Sequence, residues 1–349
     1  RDMLRPIYRD IISACRSLEH RLRVGFLGPE GTFSHQAARE QFGQSSELHP
    51  VPTISAVFDD VEHAASLFGL QTFGNIYTRI GNPTNNVLEE RVAALEGGTG
   101  ALAVASGHAA QILVFHALME SGDEIVAAKR LYGGSINQLS HSVKSFGWKV
   151  VWADTDDVST FEKAITPKTK AIFIESIANP GGIVTDIEAI AKIANNAGVP
   201  LVVDNTLASP YLIQPFKHGA DIVIHSATKF LGGHGNSIAG IIVDGGKFNW
   251  INNKRYPMLS APRPEYNGIV LAETFGNFAF AIAVRVLGLR DLGPALSPFN
   301  AFLIINGIET LPLRMQKHSD NALKVAEFLS KHPKVSWVSY AGLKSDKYH

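Results

Sequence analysis

From about residue 84 onward the chain alternates helical stretches with short β-branched runs, at 101–105, 124–128, 148–153, 170–175, 200–204, 221–225 and 238–243. No other feature restricts the fold as much. Strands separated by helices build a mainly parallel sheet with helices covering it, so the expected fold class is α/β. The stretch 84–95 shows how the helices are punctuated. It begins behind Pro83, places Val92 and Leu95 on the face of Leu88, and stops at Gly97-Gly98.

The beginning of the chain has a different organisation. Leu4, Ile7, Tyr8, Ile11, Ile12, Cys15 and Leu18 recur at three- and four-residue spacings, which predicts an amphipathic helix over 2–19. A strand is expected at 22–27, then a glycine-rich turn, Gly28-Pro-Glu-Gly-Thr-Phe-Ser34, leading into a helix that Gly43 ends. A second change near 295 comes with Pro294 and Pro298, followed by a long helical stretch over 315–329. Three regions result: 1–60, 61–294 and 295–349. The chain opens on Arg1 and ends at Tyr348-His349, which reads as cut at both ends.

Composition narrows the function classes. Thirty-two basic residues balance thirty-two acidic ones, so no net field draws the protein to nucleic acid or an anionic membrane. Cys15 is the only cysteine, which excludes an internal disulfide and a multi-cysteine metal site and fits a reducing, cytoplasmic setting. No uninterrupted apolar run approaches the roughly 18 residues that span a bilayer. Small-molecule chemistry is the expectation.

That chemistry concentrates in two clusters. Leu201-Val-Val-Asp-Asn-Thr206 places an acid at the end of a buried strand, and one strand later comes His225-Ser-Ala-Thr-Lys-Phe-Leu-Gly-Gly-His234. An ionised Asp204 suits a pyridinium nitrogen, and Lys229 suits imine formation once its amine is neutral. Singly each is more often a helix cap or a solvated lysine; together, with the hydroxyls of Ser226 and Thr228 beside the lysine, they suit a phosphate ester with a pyridine ring. Ala105-Ser-Gly-His-Ala-Ala-Gln111 lies between a strand and a helix, where open N–H groups at the positive helix end cradle phosphate. Tyr132 follows the next strand and can stack on a planar ring, while Tyr77 and Arg79 add a hydroxyl and a bidentate cation.

These segments resemble the Cys/Met-metabolism family of pyridoxal-phosphate enzymes, of fold type I, and among them the sulfhydrylases that use O-acetylhomoserine. Tyr77-Thr-Arg-Ile-Gly-Asn-Pro-Thr84, Phe173-Ile-Glu-Ser-Ile-Ala-Asn-Pro-Gly-Gly182, Val203-Asp-Asn-Thr206 and Lys229-Phe-Leu-Gly-Gly-His-Gly-Asn236 match it in order and spacing, over about 57–349. The resemblance implies pyridoxal 5'-phosphate as cofactor, Lys229 as the Schiff-base lysine, Asp204 as the pyridinium partner and Tyr132 as the stacking ring. Gly107, His108, Ser226 and Thr228 resemble phosphate ligands of the same subunit, and Tyr77 and Arg79 those given to a neighbour, which implies a homodimer or homotetramer. Asn179 resembles a residue near the cofactor hydroxyl and the substrate carboxylate. No metal is implied.

The implied activity is γ-replacement on O-acetyl-L-homoserine by sulfide or a thiol, with cystathionine γ-synthase and methionine γ-lyase as rivals of the same fold. Methionine γ-lyases tend to carry a cysteine where Gly134 stands. The family's domain continues past the end of this chain, and the arginine that clamps the substrate carboxylate is expected there, leaving the C-terminal α+β domain incomplete. The opening residues carry a second resemblance. Residues 4–18 are similar to the last helix of a chorismate mutase domain, and Val24-Gly-Phe-Leu-Gly-Pro-Glu-Gly-Thr-Phe-Ser-His-Gln-Ala-Ala38 to the start of prephenate dehydratase. A junction is expected near 57–62, which admits an inactive fusion as a further rival.

Overall fold

The computed structural model describes residues 23–42, 47–51, 66, 69–70, 74 and 77–348. The expected helix over 2–19, Cys15, Gly43 and the junction near 57–62 lie outside the described residues. The chain divides into two compact units, Arg1–Ile76 and Tyr77–His349.

The first unit holds a parallel pair, β1 (Arg23–Leu27) and β2 (Glu47–Val51), with α1 (Phe33–Phe42) between them in sequence. The turn into α1 is held locally. His35 Nδ1 accepts the Gly31 N–H at 2.7 Å, the Ser34 hydroxyl donates to the Leu27 carbonyl at 2.7 Å, and the His35 ring stacks on buried Phe26.

The second unit is built on a seven-stranded sheet. Its strands are β3 (Gly100–Val104), β4 (Glu124–Ala128), β5 (Lys149–Ala153), β6 (Thr169–Glu175), β9 (Leu201–Asp204), β10 (Ile222–His225) and β11 (Gly240–Asp244), in the spatial order β3-β11-β10-β9-β6-β4-β5. A short hairpin outside this sheet supplies β7 (Ile177–Ala178) and β8 (Ile183–Val184). Four neighbouring pairs are parallel, and β11 alone runs against both its neighbours. The strands read as continuous apolar runs because both faces are covered; β6 and β11 are buried along their whole length.

The helices that matter for the site are α2 (Pro83–Glu96), α3 (Gly107–Leu118), α4 (Gly133–Ser140), α5 (Ser159–Ala164), α6 (Ile187–Ala197), α7 (Pro298–Glu309) and α8 (Leu311–Ser330). In α2 the Asn82 side chain caps the Thr84 N–H, Pro83 takes the first helical position, and Gly97 ends the helix in the left-handed conformation. One expectation for this helix fails. Leu88 and Val92 are buried, but Leu95 is exposed, and Ala93 and Glu96 complete the inner face. The face rotates because Glu96 is drawn inward by partners distant in sequence.

One helical segment approaches bilayer length, although Glu273, Arg285, Arg290 and Asp291 interrupt its apolar residues. The broken helical segment Leu271–Leu292 is long and apolar enough to cross a membrane by length and composition. Here it is a core element: Phe280, Ala283, Val284 and Leu287 are buried. Its Arg285 bonds the Ile80 carbonyl at 2.6 Å and pairs with Glu89 at 2.5 Å, while Glu89 also accepts the Ala103 N–H of β3.

Asp244, at the end of β11, accepts N–H bonds from Gly246 and Ala281 at 2.8 and 3.0 Å. Burial, with Asp221 adding repulsion, pushes its carboxyl up to about 6 from 3.8. Between those values the folded chain holds a proton that the unfolded chain has released, so this contribution to stability is complete below about pH 4 and lost as pH rises through about 6. In Asp244→Asn that loss disappears. Urea unfolding from about pH 4 to pH 7 should show wild type declining relative to the variant as pH rises; parallel profiles would refute the assignment.

Candidate active site

The carboxyl ends of parallel strands open onto a crevice, and the chemistry-bearing residues collect there. A cavity of about 660 Å³ is lined by Gly107, His108, Tyr132, Asn179, Asp204, Ser226, Thr228 and Lys229, all expected from the sequence. Tyr77 and Arg79 do not line it; the Arg79 guanidinium lies 5.1 Å from the centre of the Tyr77 ring.

Each of these residues is placed by a strand end. After β3, the Ser106 hydroxyl caps the Ala109 N–H at 3.1 Å, so Gly107 and His108 head α3 where a helix leaves its first N–H groups open. Gly107 must be glycine for packing reasons, because an added Cβ would meet Ser226 Cβ at 2.7 Å. That close approach brings the β3–α3 turn against the loop that carries Lys229. The Ser226 N–H is spent on the Thr206 hydroxyl at 2.7 Å, and the Thr228 hydroxyl exchanges bonds with Ala239.

Tyr132 follows β4, its ring centre 5.9 Å from that of His108. Gly134 permits this arrangement, since a Cβ there would lie 2.4 Å from Tyr132 Cε1 and 2.9 Å from His108 Cε1. Asp204 ends β9. Burial pushes its carboxyl above the usual range, opposed by bonds from Thr206 and by the nearby His225 and His108. A half-buried acid on the cavity wall fits a cationic heterocyclic nitrogen.

The structure adds residues that sequence reasoning missed. Glu175, at the end of β6, accepts the Tyr132 N–H at 2.6 Å with one oxygen and the Asn179 N–H at 2.9 Å with the other. Burial and then Asp204 push its carboxyl up to about 7. The available signal was an acid closing the wholly apolar run Ala171-Ile-Phe-Ile174. Gln111, one turn into α3, is buried on the cavity wall, and its side-chain nitrogen has no acceptor among the described residues. Arg314 and His318, from α8, also line the cavity.

A helix-start cradle, an orphaned buried amide, a half-buried acid and a lysine around one cavity fit a phosphorylated pyridine aldehyde. The comparison with known families agrees: the Cys/Met metabolism PLP-dependent enzyme family matches residues 32–349. The chain belongs to that family. Pyridoxal phosphate is therefore its cofactor, and fold type I its architecture.

Within the Cys/Met metabolism enzymes, the chain is 57% identical over 303 residues to the O-acetyl-L-homoserine sulfhydrylase of Leptospira meyeri, covering 84% of this chain and 68% of that one. It is 50% identical over 299 residues to the homocysteine/cysteine synthase of Saccharomyces cerevisiae, covering 85% and 67%. Among solved structures, an O-acetylhomoserine (thiol)-lyase assigned in Campylobacter jejuni, which carries a pyridoxyl-lysine phosphate, superposes with a TM-score of 0.81 at 42% identity, covering 84% of this chain and 73% of that one.

Glu175→Gln keeps one acceptor and sets an amide nitrogen against the other N–H. The variant is expected to lose about 1–3 kcal/mol of stability and to bind pyridoxal phosphate more weakly, because Tyr132 loses its anchor. Urea unfolding and cofactor titration check this; unchanged values in both would show that Glu175 holds neither loop.

Proposed function

We propose that this chain is an O-acetyl-L-homoserine sulfhydrylase, replacing the acetate at Cγ with sulfide or a thiol. The observation that carries the reading is Lys229 and Asp204 on one cavity wall with the cradle of Gly107 and His108, in a chain 57% identical to an enzyme of that activity. Gly134 favours it over the γ-lyase reading, because a cysteine side chain there would displace Tyr132 from His108.

Gly107, His108 and Ser226 would hold the phosphate, Asp204 the pyridine nitrogen and Tyr132 the ring face, with Asn179 near the ring hydroxyl. Thr228 would join them through its hydroxyl oxygen, held near the lysine by Ala239. When bound, pyridoxal phosphate supplies an electron sink for charge released at the substrate Cα. Lys229 would hold the cofactor through its amine and free that amine when the substrate amine binds. Its amine would carry one proton at a time, passing the Cα proton on to the cofactor before taking the Cβ proton, and loss of the second would let the Cγ–O bond break with acetate departing with the electron pair. Sulfide would add at Cγ, Lys229 would return its proton to Cβ, and the Cα proton would come back by the reverse of the first transfer. Tyr77 and Arg79, outside this cavity, would serve the phosphate of a second subunit, making the working unit a homodimer or homotetramer. A cytoplasmic setting suits a chain with a single cysteine.

Borohydride reduction and peptide mapping should place the pyridoxyl label on Lys229; a label on another lysine overturns the assignment. Lys229→Ala should lower sulfide-dependent homocysteine formation by at least about 10²–10⁴-fold, the usual weight of a positioned acid–base group. Gly107→Ala should weaken cofactor binding while sparing the label site.

A further inference from the structure

The four residues after Lys229 are gripped by two helices far away in sequence, and the mechanism above makes no use of that grip. Arg314, on α8, donates from Nη1 to the Phe230 carbonyl at 2.8 Å, from Nη2 to the Gly307 carbonyl at 2.7 Å, and from Nε to the Thr310 hydroxyl at 3.0 Å. Its guanidinium lies flat against Gly233, where a Cβ would meet the Cζ atom at 2.4 Å. Gly307, on α7, meets the same loop backbone to backbone: a Cβ there would lie 2.0 Å from the Gly232 carbonyl oxygen. Phe230 also faces the His318 ring, with centroids 5.5 Å apart.

The other side of the lysine is fixed too. The Lys229 N–H donates to Ser226 at 3.1 Å, the Gly233 N–H returns to the Lys229 carbonyl at 2.7 Å, and Thr228 is bonded to Ala239. The Lys229 backbone is thus held between the start of β11 and a clamp of Arg314 and Gly307.

We infer that Arg314 and Gly307 are positioning residues for Lys229, fixing the direction from which its amine meets the substrate carbons. This rests on the reading of Lys229 given above. Arg314 lines the cavity, but its two terminal nitrogens and Nε are each committed to protein oxygens, and burial lowers its pKa, so its guanidinium is built to brace backbone. Proton transfer at two adjacent carbons by one amine is sensitive to such bracing, because an ångström of displacement can cost on the order of 100-fold in rate.

The test compares wild type with Arg314→Met, Arg314→Lys and Gly307→Ala, each loaded with pyridoxal phosphate. Gly307→Ala removes no hydrogen bond and only pushes the loop, so it remains informative if Arg314→Met fails to fold. Three readouts are taken: visible circular dichroism of the bound cofactor, the rate at which cyanoborohydride reduces its lysine linkage, and the separate kcat and KM for O-acetylhomoserine. The expected result is a weakened cofactor dichroism, an altered reduction rate, and a kcat lower by on the order of 100-fold with KM changed by less than about threefold. Arg314→Lys should recover part of the loss, since one ammonium cannot repeat the fork that spans two carbonyls.

Unchanged dichroism and kcat in folded Gly307→Ala would overturn the inference. So would a raised KM with kcat preserved in Arg314→Met, the signature of a group that binds substrate carboxylate instead. If wild type carries the label on Lys229 yet forms no homocysteine, the proposed substrate is wrong, and the dichroism and reduction arms still decide the clamp.

Discussion

Beneath the cavity lies one buried carboxylate on which the strand ends depend. Glu96 Oε1 receives the Asn205 side-chain amide at 2.8 Å and lies 2.6 Å from His225 Nε2, with all three residues buried. Asn205 in turn accepts the Ser176 hydroxyl at 2.8 Å and donates to the Ile213 carbonyl. One helix thereby ties together the residues next to Asp204, Ser226 and Glu175, the acids and hydroxyl of the site. Glu96 Oε2 and His225 Nδ1 find no hydrogen-bond partner among the described residues, so the pairing rests on Glu96 Oε1, and losing it would leave further buried groups unpaired at about 1–3 kcal/mol each. The network therefore specifies how α2 and the strand ends dock, as well as holding them together.

The electrostatic character of the cavity follows from that support. Asp204 stands close enough to raise the proton affinity of Glu175, and burial raises both. Two acids in one wall can share it if one is protonated or a cation lies opposite. A pyridinium nitrogen provides such a cation, and Glu175 can meanwhile serve as a hydrogen-bond acceptor for backbone. The two acids thus stand in separate places: Asp204 lines the cavity, and Glu175 holds the Tyr132 and Asn179 backbone in place.

Much of this was legible in the residues alone. The seven strands lie within two residues of where β-branched runs predicted them, and eight of the ten expected site residues share one cavity, because strand ends and helix starts are local signals. What stayed hidden was carried by distant partners. Nothing in Gly240–Asp244 announces that β11 runs backwards, since apolar periodicity has no direction. Leu95 looked like a core residue until Glu96 turned inward to His225 and Asn205. Arg314 and Glu175 acquire meaning only from a loop brought to them by the fold.

The reversed strand has a consequence for the order in which the molecule assembles. β3 is an edge strand whose sheet neighbour, β11, is made long after it: Val104 pairs with Gly240, and on its other side it forms a single bridge to the still later Ala295. During synthesis the Gly107 turn emerges early and waits, with its strand unpaired, until the ribosome has delivered almost the whole sheet. Contacts of such sequence separation form slowly, since a long loop must close first. The cavity wall, part from residues beside β3 and part from the loop after β10, cannot be complete before β11 lies between them. A nascent chain of this design is therefore blind to its cofactor until late in translation, and an exposed β3 edge is then the part most in need of chaperone cover.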